Sequence, residues 1–80
     1  MLKLEVKTRL PEEQLKQRTK SFFKDGLRLN ISAEASDRVT FGGGGGYVTA
    51  QFSRDHEAAH VVLETREWEE QAKQFAREVS

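Results

Sequence analysis

Cysteine is absent from the 80-residue chain, and proline occurs once. The absence of cysteine excludes disulfide bonds and thiolate chemistry, and it leaves the redox compartment open. Apolar runs are only a few residues long, so we expect no membrane-spanning segment, and the start of the chain does not resemble a signal peptide. We therefore expect a single cytoplasmic domain over residues 1–80.

The chain also lacks an excess of either charge, because 13 Lys and Arg residues balance 13 Asp and Glu residues. Residues 1–30 carry eight cations and four anions, whereas residues 31–80 carry five cations and nine anions. We expect these two halves to neighbour each other in the fold. A nucleic-acid partner is not expected, because nucleic-acid-binding domains usually carry an overall basic excess.

Alternation of apolar with polar residues predicts β-strands, since side chains on a strand point to its two faces in turn. The alternation covers residues 2–10, 27–32, 38–41 and 47–53. A turn is predicted at residues 35–37, and five consecutive glycines separate the third strand from the fourth. In the fourth strand, Val48, Ala50 and Phe52 are predicted to face the core.

Residues 54–66 are compatible with two structures. In the first, residues 55–58 form a turn and a fifth strand follows, with Ala59, Val61 and Leu63 facing inward. In the second, a helical stripe extends from Ala58 through Trp68 and one long helix covers residues 55–79. The adjacent β-branched pair Val61-Val62 favours the strand.

Two helices are predicted. Pro11-Glu12-Glu13 is typical of a helix start, and Asp25-Gly26 is typical of a helix end. The apolar face of the first helix consists of Leu15, Thr19, Phe22 and Phe23. The apolar face of the second helix consists of Trp68, Ala72, Phe75, Ala76 and Val79.

The sequence therefore predicts an α+β fold of order βαββββα, an antiparallel sheet with two helices packed on one face. The segments YVTAQFSR (residues 47–54) and HVVLETREW (residues 60–68), followed by an amphipathic helix, resemble the final hairpin and long helix of the START-like (helix-grip) superfamily. The likeness is closest to its polyketide-cyclase and heat-shock-ATPase-activator-like branches. The element order also resembles the TATA-binding-protein-like topology. These resemblances imply a sheet covered by the terminal helix, and they assign no catalytic residue.

The glycine run at residues 42–46 is the first candidate site. A phosphate-binding loop needs a Lys-Ser/Thr pair and a following helix, and neither is present here. Glycine next to a strand permits positive φ and close approach of another element, so the rings of Trp68 and Phe75 could lie over this bare backbone. The candidate ligand-binding residues are Phe41, Gly43, Gly44, Gly45, Tyr47 and Trp68.

Two further patterns are candidates. His56-Glu57-Ala58-Ala59-His60 matches the HExxH pattern of zinc proteases, in which both histidines lie on one helix and bind the metal. The preferred fold places His60 on a strand instead, so we expect no metal site there. Lys16, Lys20 and Lys24 form a basic stripe on the first helix, which is a candidate anion-binding face and is also typical of a solvated surface.

Together the patterns favour a small binding or interaction module without catalytic residues or a cofactor. Its partner would be a small apolar ligand or another protein, and the chain would be a monomer or a homodimer. The alternatives are a zinc hydrolase that uses the HExxH-like motif and a phosphate- or nucleic-acid-contacting domain that uses the basic helix.

Overall fold

The fold is given by a computed structural model that describes residues 1–54 and 58–80. Over those residues the chain forms five strands and two helices in the order βαββββα, which confirms the predicted α+β class. The strands are β1 (Leu2–Thr8), β2 (Asn30–Ala35), β3 (Arg38–Gly43), β4 (Gly46–Arg54) and β5 (Ala59–Arg66). The helices are α1 (Glu12–Lys20), which continues into a π-helical segment (Ser21–Gly26), and α2 (Glu69–Val79).

The five described strands form one antiparallel sheet in the order β1-β5-β4-β3-β2. Strands β2 to β5 follow one another as a meander, and β1 pairs with the last of them. Lys3 of β1 lies opposite Glu64 of β5, so a cation of the first half of the chain neighbours an anion of the second half. Strands β1 and β2 are the edges of this sheet.

One face of the sheet is buried, and both helices pack on it. The inward residues alternate along β1, β3, β4 and β5 as predicted, and the exposed fraction of the β5 residues Val61 and Leu63 is 0%. The helices meet over this face, since the ring of Phe75 in α2 lies 5.3 Å from that of Phe22 and 5.4 Å from that of Phe23. The ring of Phe23 in turn lies 5.5 Å from that of Phe41 on β3, which joins helices and sheet in one core.

The structure decides between the two interpretations of residues 54–66. Residues 59–66 are a strand, paired on one side with β1 and on the other with β4. The long helix is therefore wrong for these residues. Of the turn predicted at residues 55–58, only Ala58 belongs to the described part of the chain, and it lies outside any helix or strand.

The prediction of a strand at residues 27–32 is wrong in its first half. The backbone N–H groups of Leu27 and Leu29 donate to the carbonyls of Phe22 and Phe23, at 3.1 and 3.0 Å. Arg28 between them has a φ of 61°, so this segment closes the helix and is not extended. Strand β2 accordingly begins at Asn30 and continues to Ala35.

A β-bulge in edge strand β2 changes which side chains face the helices. The pairing with β3 shifts between Ile31 and Ala33, which places Glu34 opposite the inward-facing Val39. Glu34 thereby reaches Lys20 of α1, with 2.5 Å between Oε2 and Nζ. The bulge thus turns the Glu34 side chain toward the helices, where it pairs with α1.

The buried threonines use their hydroxyl groups within the protein. Thr19 donates to the Leu15 carbonyl at 2.7 Å, and Thr65 donates to the Tyr47 carbonyl at 2.8 Å. The hydroxyl of Thr8 accepts the Leu10 N–H at 3.2 Å. Each of the three buried hydroxyl groups therefore has a hydrogen-bond partner.

In the part of the chain that the structure describes, neither helix has the length and apolar character that crossing a bilayer requires.

Candidate functional site

The glycine run forms the tip of the β3–β4 hairpin. Gly43 pairs with Gly46, and Gly44 and Gly45 connect them. Gly44 and Gly45 have φ values of 61° and 81°, the positive values that both central residues of a type I′ hairpin turn require. Glycine reaches this conformation without the steric cost that other residues meet.

Trp68 covers this hairpin from the start of α2. Its indole Nε1–H donates to the Gly43 carbonyl at 3.0 Å. A Cβ at Gly44 would lie 2.9 Å from Cζ2 of the same ring. The prediction that Trp68 lies over bare backbone is therefore confirmed, whereas Phe75 packs against Phe22 and Phe23 instead.

Two other glycines make room for neighbouring chain. A Cβ at Gly43 would lie 2.8 Å from Cδ2 of Leu29, and a Cβ at Gly46 would overlap the Arg66 carbonyl oxygen. A Cβ at Gly42 would meet no atom within 4 Å. Close packing within the molecule thus accounts for the absence of side chains at residues 43, 44 and 46.

The six residues predicted to bind a ligand do not share one surface. Phe41 lies on the buried face of β3 with an exposed fraction of 0%. Tyr47 lies on the opposite face of the sheet, opposite Gly42, and its hydroxyl contacts the Met1 sulfur at 3.6 Å. Of the six, the structure brings only Trp68 and the hairpin glycines together. The indole N–H there already donates to the Gly43 carbonyl.

The three lysines predicted as an anion-binding face differ in their surroundings. Nζ of Lys16 donates to the Ser36 carbonyl at 2.6 Å and lies 5.9 Å from the centre of the Phe52 ring. Lys20 pairs with Glu34, and Lys24 is exposed in the π-helical segment. Two of the three lysines therefore attach α1 to the neighbouring strands.

The HExxH-like motif falls partly outside the described residues, which include neither His56 nor Glu57. His60 is half-buried in β5, so the helix on which that motif depends is not present at this histidine. Among residues 1–54 and 58–80, no three His, Cys, Asp or Glu side chains are close enough to hold a metal ion together.

A cleft that the sequence analysis did not predict lies at the C-terminal end of α2. Its volume is about 780 Å³. It is formed by the end of β1, the turn into α1, one residue of α1, the residue before β5 and the end of α2. The residues that line it are Lys7, Thr8, Arg9, Leu10, Arg18, Ala58, Glu78, Val79 and Ser80. We call this cavity the terminal cleft.

The terminal cleft combines apolar and cationic groups. Val79 is buried, and Leu10 and Ala58 are half-buried, so they supply the apolar lining. Lys7, Arg9 and Arg18 are exposed at the same cavity, and Glu78 supplies the single side-chain carboxylate among its lining residues. Such a cavity can bury an apolar group while it neutralises a negative charge.

A second cavity of about 380 Å³ lies next to the terminal cleft, between the two helices. The two cavities share Arg18, Glu78 and Val79, and the second extends to Phe22 and Phe75. The hairpin at Trp68 lies at the other end of α2, about 16 Å away along an 11-residue helix. The terminal cleft and the hairpin are therefore separate sites.

The cationic excess of residues 1–30 was the one sequence signal that pointed toward the terminal cleft. Lys7 and Arg9 follow the outward positions of β1, and Arg18 lies off the lysine stripe, so periodicity alone describes all three as solvated.

A comparison with models of known protein families finds no match for this chain, and a comparison with curated proteins finds none either.

Proposed function

We propose that this chain is a non-enzymatic binding module whose ligand occupies the terminal cleft. The observation that carries the proposal is the cavity of about 780 Å³ beside the end of α2, with buried Val79 in its lining. Ligand sites in proteins commonly have such a volume, a mainly apolar lining and a few polar groups that orient the ligand. Under this proposal the ligand lies beside the terminal helix, at the end opposite to the glycine hairpin.

We also propose a distant relation to the helix-grip or TATA-binding-protein-like folds. Its support is the element order βαββββα and the packing of α2 across the sheet through Ala72, Phe75 and Val79. A cytoplasmic location stays a prediction from the sequence. The zinc-hydrolase hypothesis and the anion-binding face of α1 gain no supporting observation among the described residues, and we do not propose them.

The test is a screen of neutral, anionic and cationic fragments against isotope-labelled protein, read by amide chemical shifts. We expect at least one fragment class to shift the amides of Leu10, Ala58 and Val79. Shifts confined to residues 42–47 and Trp68 would place the ligand at the hairpin instead. Absence of saturable shifts with every class would contradict a binding function.

A matched pair of substitutions localises the site. Ala58→Phe fills the terminal cleft, whereas Ala35→Phe adds the same ring at an exposed position of edge strand β2. We expect Ala58→Phe to abolish the fragment-induced shifts and Ala35→Phe to preserve them. Equal binding by both variants would show that the fragments bind outside the terminal cleft.

A further inference from the structure

We infer that the ligand of the terminal cleft is a small amphipathic anion, with an apolar body and one carboxylate or phosphate group. The inference rests on the proposed binding function and adds the chemical class of the ligand. Three features of the cleft support it: cations that pair with no described side-chain carboxylate, a mainly apolar lining and its size.

The cations of the terminal cleft are not neutralised within the described part of the molecule. Among residues 1–54 and 58–80, none of Lys7, Arg9 and Arg18 has a carboxylate within ion-pair distance. The one side-chain carboxylate among the lining residues belongs to Glu78, whose Oε2 accepts the Gln74 side-chain N–H at 3.4 Å. Lys20 of the same helix as Arg18, in contrast, is paired with Glu34. An anion in the cleft would therefore meet three cationic groups that form no ion pair with a described side-chain carboxylate.

The apolar part of the cleft can hold a hydrocarbon chain. Leu10, Ala58 and Val79 supply apolar surface, and the hydroxyl of Thr8 is already bonded to the Leu10 N–H. The adjoining cavity of about 380 Å³ shares Val79 with the cleft and is lined in part by Phe22 and Phe75. A ligand with its charged group at Arg9 and Arg18 could thus place its apolar body against Leu10, Ala58 and Val79.

The size of the site favours a small molecule over a macromolecule. A cavity of about 780 Å³ lies within the range of about 300–1,000 Å³ typical of small-ligand pockets. A nucleic acid would require a basic surface that follows its backbone, whereas the chain has no net charge. The shared chemistry of carboxylate and phosphate is what the three cations recognise, since both groups accept hydrogen bonds from Arg and Lys.

The experiment compares three probes, each with a linear chain of ten carbons, the carboxylate carbon of the first included: decanoate, 1-decanol and decyltrimethylammonium. Each is titrated into the labelled full chain, the two ionic probes below their micelle concentration and 1-decanol below its solubility limit, and the amides of Leu10, Ala58 and Val79 are followed. We expect decanoate to bind at least about fivefold more tightly than 1-decanol, and the ammonium compound more weakly still. Decyl phosphate should behave as decanoate does, while inorganic phosphate alone should bind more weakly because it lacks the tail.

Two double variants, both on exposed or half-exposed cations, test the assignment without disturbing the core. In Arg9→Gln/Arg18→Gln, decanoate affinity should fall about fivefold while 1-decanol affinity is unchanged. In Lys3→Gln/Lys24→Gln, which removes two exposed cations outside the cleft, both affinities should be preserved. Equal loss in the two variants would overturn the inference, because it would show attraction to overall charge.

The remaining outcomes separate this inference from the proposed function. Equal affinities for decanoate and 1-decanol at the cleft amides would overturn the anion preference and leave the binding function standing. Shifts centred on Gly43 and Trp68 would overturn both, and so would the absence of shifts with all probes together with a fragment screen that finds no ligand.

Discussion

At the residue scale, Gly44 and Gly45 supply the positive φ values of the hairpin tip, while Gly43 and Gly46 supply space. These are different physical requirements, although the residues are adjacent and identical. Neither requirement applies to the remaining glycine of the run, Gly42. Its φ is not in the left-handed region, and a Cβ there would meet no atom within 4 Å. A graded response to substitution follows from these differences.

Alanine substitutions along the run should therefore differ in their effect on the free energy of unfolding. Gly45→Ala imposes only the left-handed conformation and should cost about 1–2 kcal/mol. Gly44→Ala adds the contact with Trp68 and should cost about 2–3 kcal/mol. Gly42→Ala should be neutral or stabilising by about 0.4–1 kcal/mol.

Urea denaturation followed by far-ultraviolet circular dichroism gives the three values. Gly42→Ala serves as the control for loss of glycine flexibility in the unfolded chain. Equal midpoints for the substitutions at residues 42 and 44 would contradict the roles assigned to the hairpin tip and to Trp68.

The site residues show what a sequence can reveal at this scale. That the glycines make room for Trp68 could be predicted, because a run of bare backbone beside an aromatic-rich helix has few other uses. That Phe41 and Tyr47 lie on opposite faces could also be worked out, since Gly42 through Gly46 form a tight hairpin and the register follows. Grouping both residues in one ligand site ignored that register.

At the element scale, alternation predicted β1, β3 and β4 because each buries one face against the helices, whereas β5 was favoured over a helix by its β-branched pair Val61-Val62. Alternation failed at Leu27 and Leu29, which alternate with Arg28 but belong to the helix end. Both side chains are at least half-buried there, as they would be on a strand. A three-residue apolar alternation cannot distinguish a strand from a helix terminus, because burial alone sets the pattern.

The end of the first helix offers a test with a definite sign. Arg28 has a φ of 61°, and the Leu29 N–H donates across it to the Phe23 carbonyl at 3.0 Å. The left-handed conformation costs an L-residue about 1–2 kcal/mol that glycine does not incur. Arg28→Gly should consequently stabilise the protein by about 1 kcal/mol, even though it adds flexibility to the unfolded chain.

Arg28→Ala is the matched control, since it removes the exposed guanidinium and keeps the strained conformation. We expect its thermal midpoint to equal that of the parent or to lie below it, and the midpoint of Arg28→Gly to be the highest of the three. If alanine and glycine gave the same midpoint, the side chain and not the backbone conformation would determine stability at this position.

At the scale of the whole molecule, the terminal cleft could not be predicted from the sequence patterns. Its lining comes from residues near 8, 18, 58 and 79, which are far apart in the chain. Alternation and helical periodicity report which face of an element is buried, but they do not report which element ends meet. The meeting of the β1 end with the α2 end depends on the strand order β1-β5-β4-β3-β2, and this order brings β1 beside the strand that precedes α2.

The same topology makes the molecule one cooperative unit around Phe75. Its ring has an exposed fraction of 1%, contacts the rings of Phe22 and Phe23, and lies in the core that includes Val48 and Leu63 of the sheet. Phe75 therefore lies where three packing contacts meet: α2 with the π-helical segment, α2 with the sheet, and the π-helical segment with the sheet. Removal of the ring should weaken all of them together rather than release α2 alone.

Phe75→Ala should lower the free energy of unfolding by about 3–5 kcal/mol, a large part of the total of about 4–12 kcal/mol typical of a chain of this length. Phe75→Leu, which retains much of the buried volume, should cost less. Guanidinium unfolding monitored by circular dichroism and by Trp68 fluorescence should give coincident transitions in both variants, because the indole at the start of α2 and the sheet depend on one core. A fluorescence transition at a lower denaturant concentration than the circular dichroism transition would mean that α2 detaches first. The terminal cleft would then lose the lining residues that α2 contributes, Glu78 and Val79.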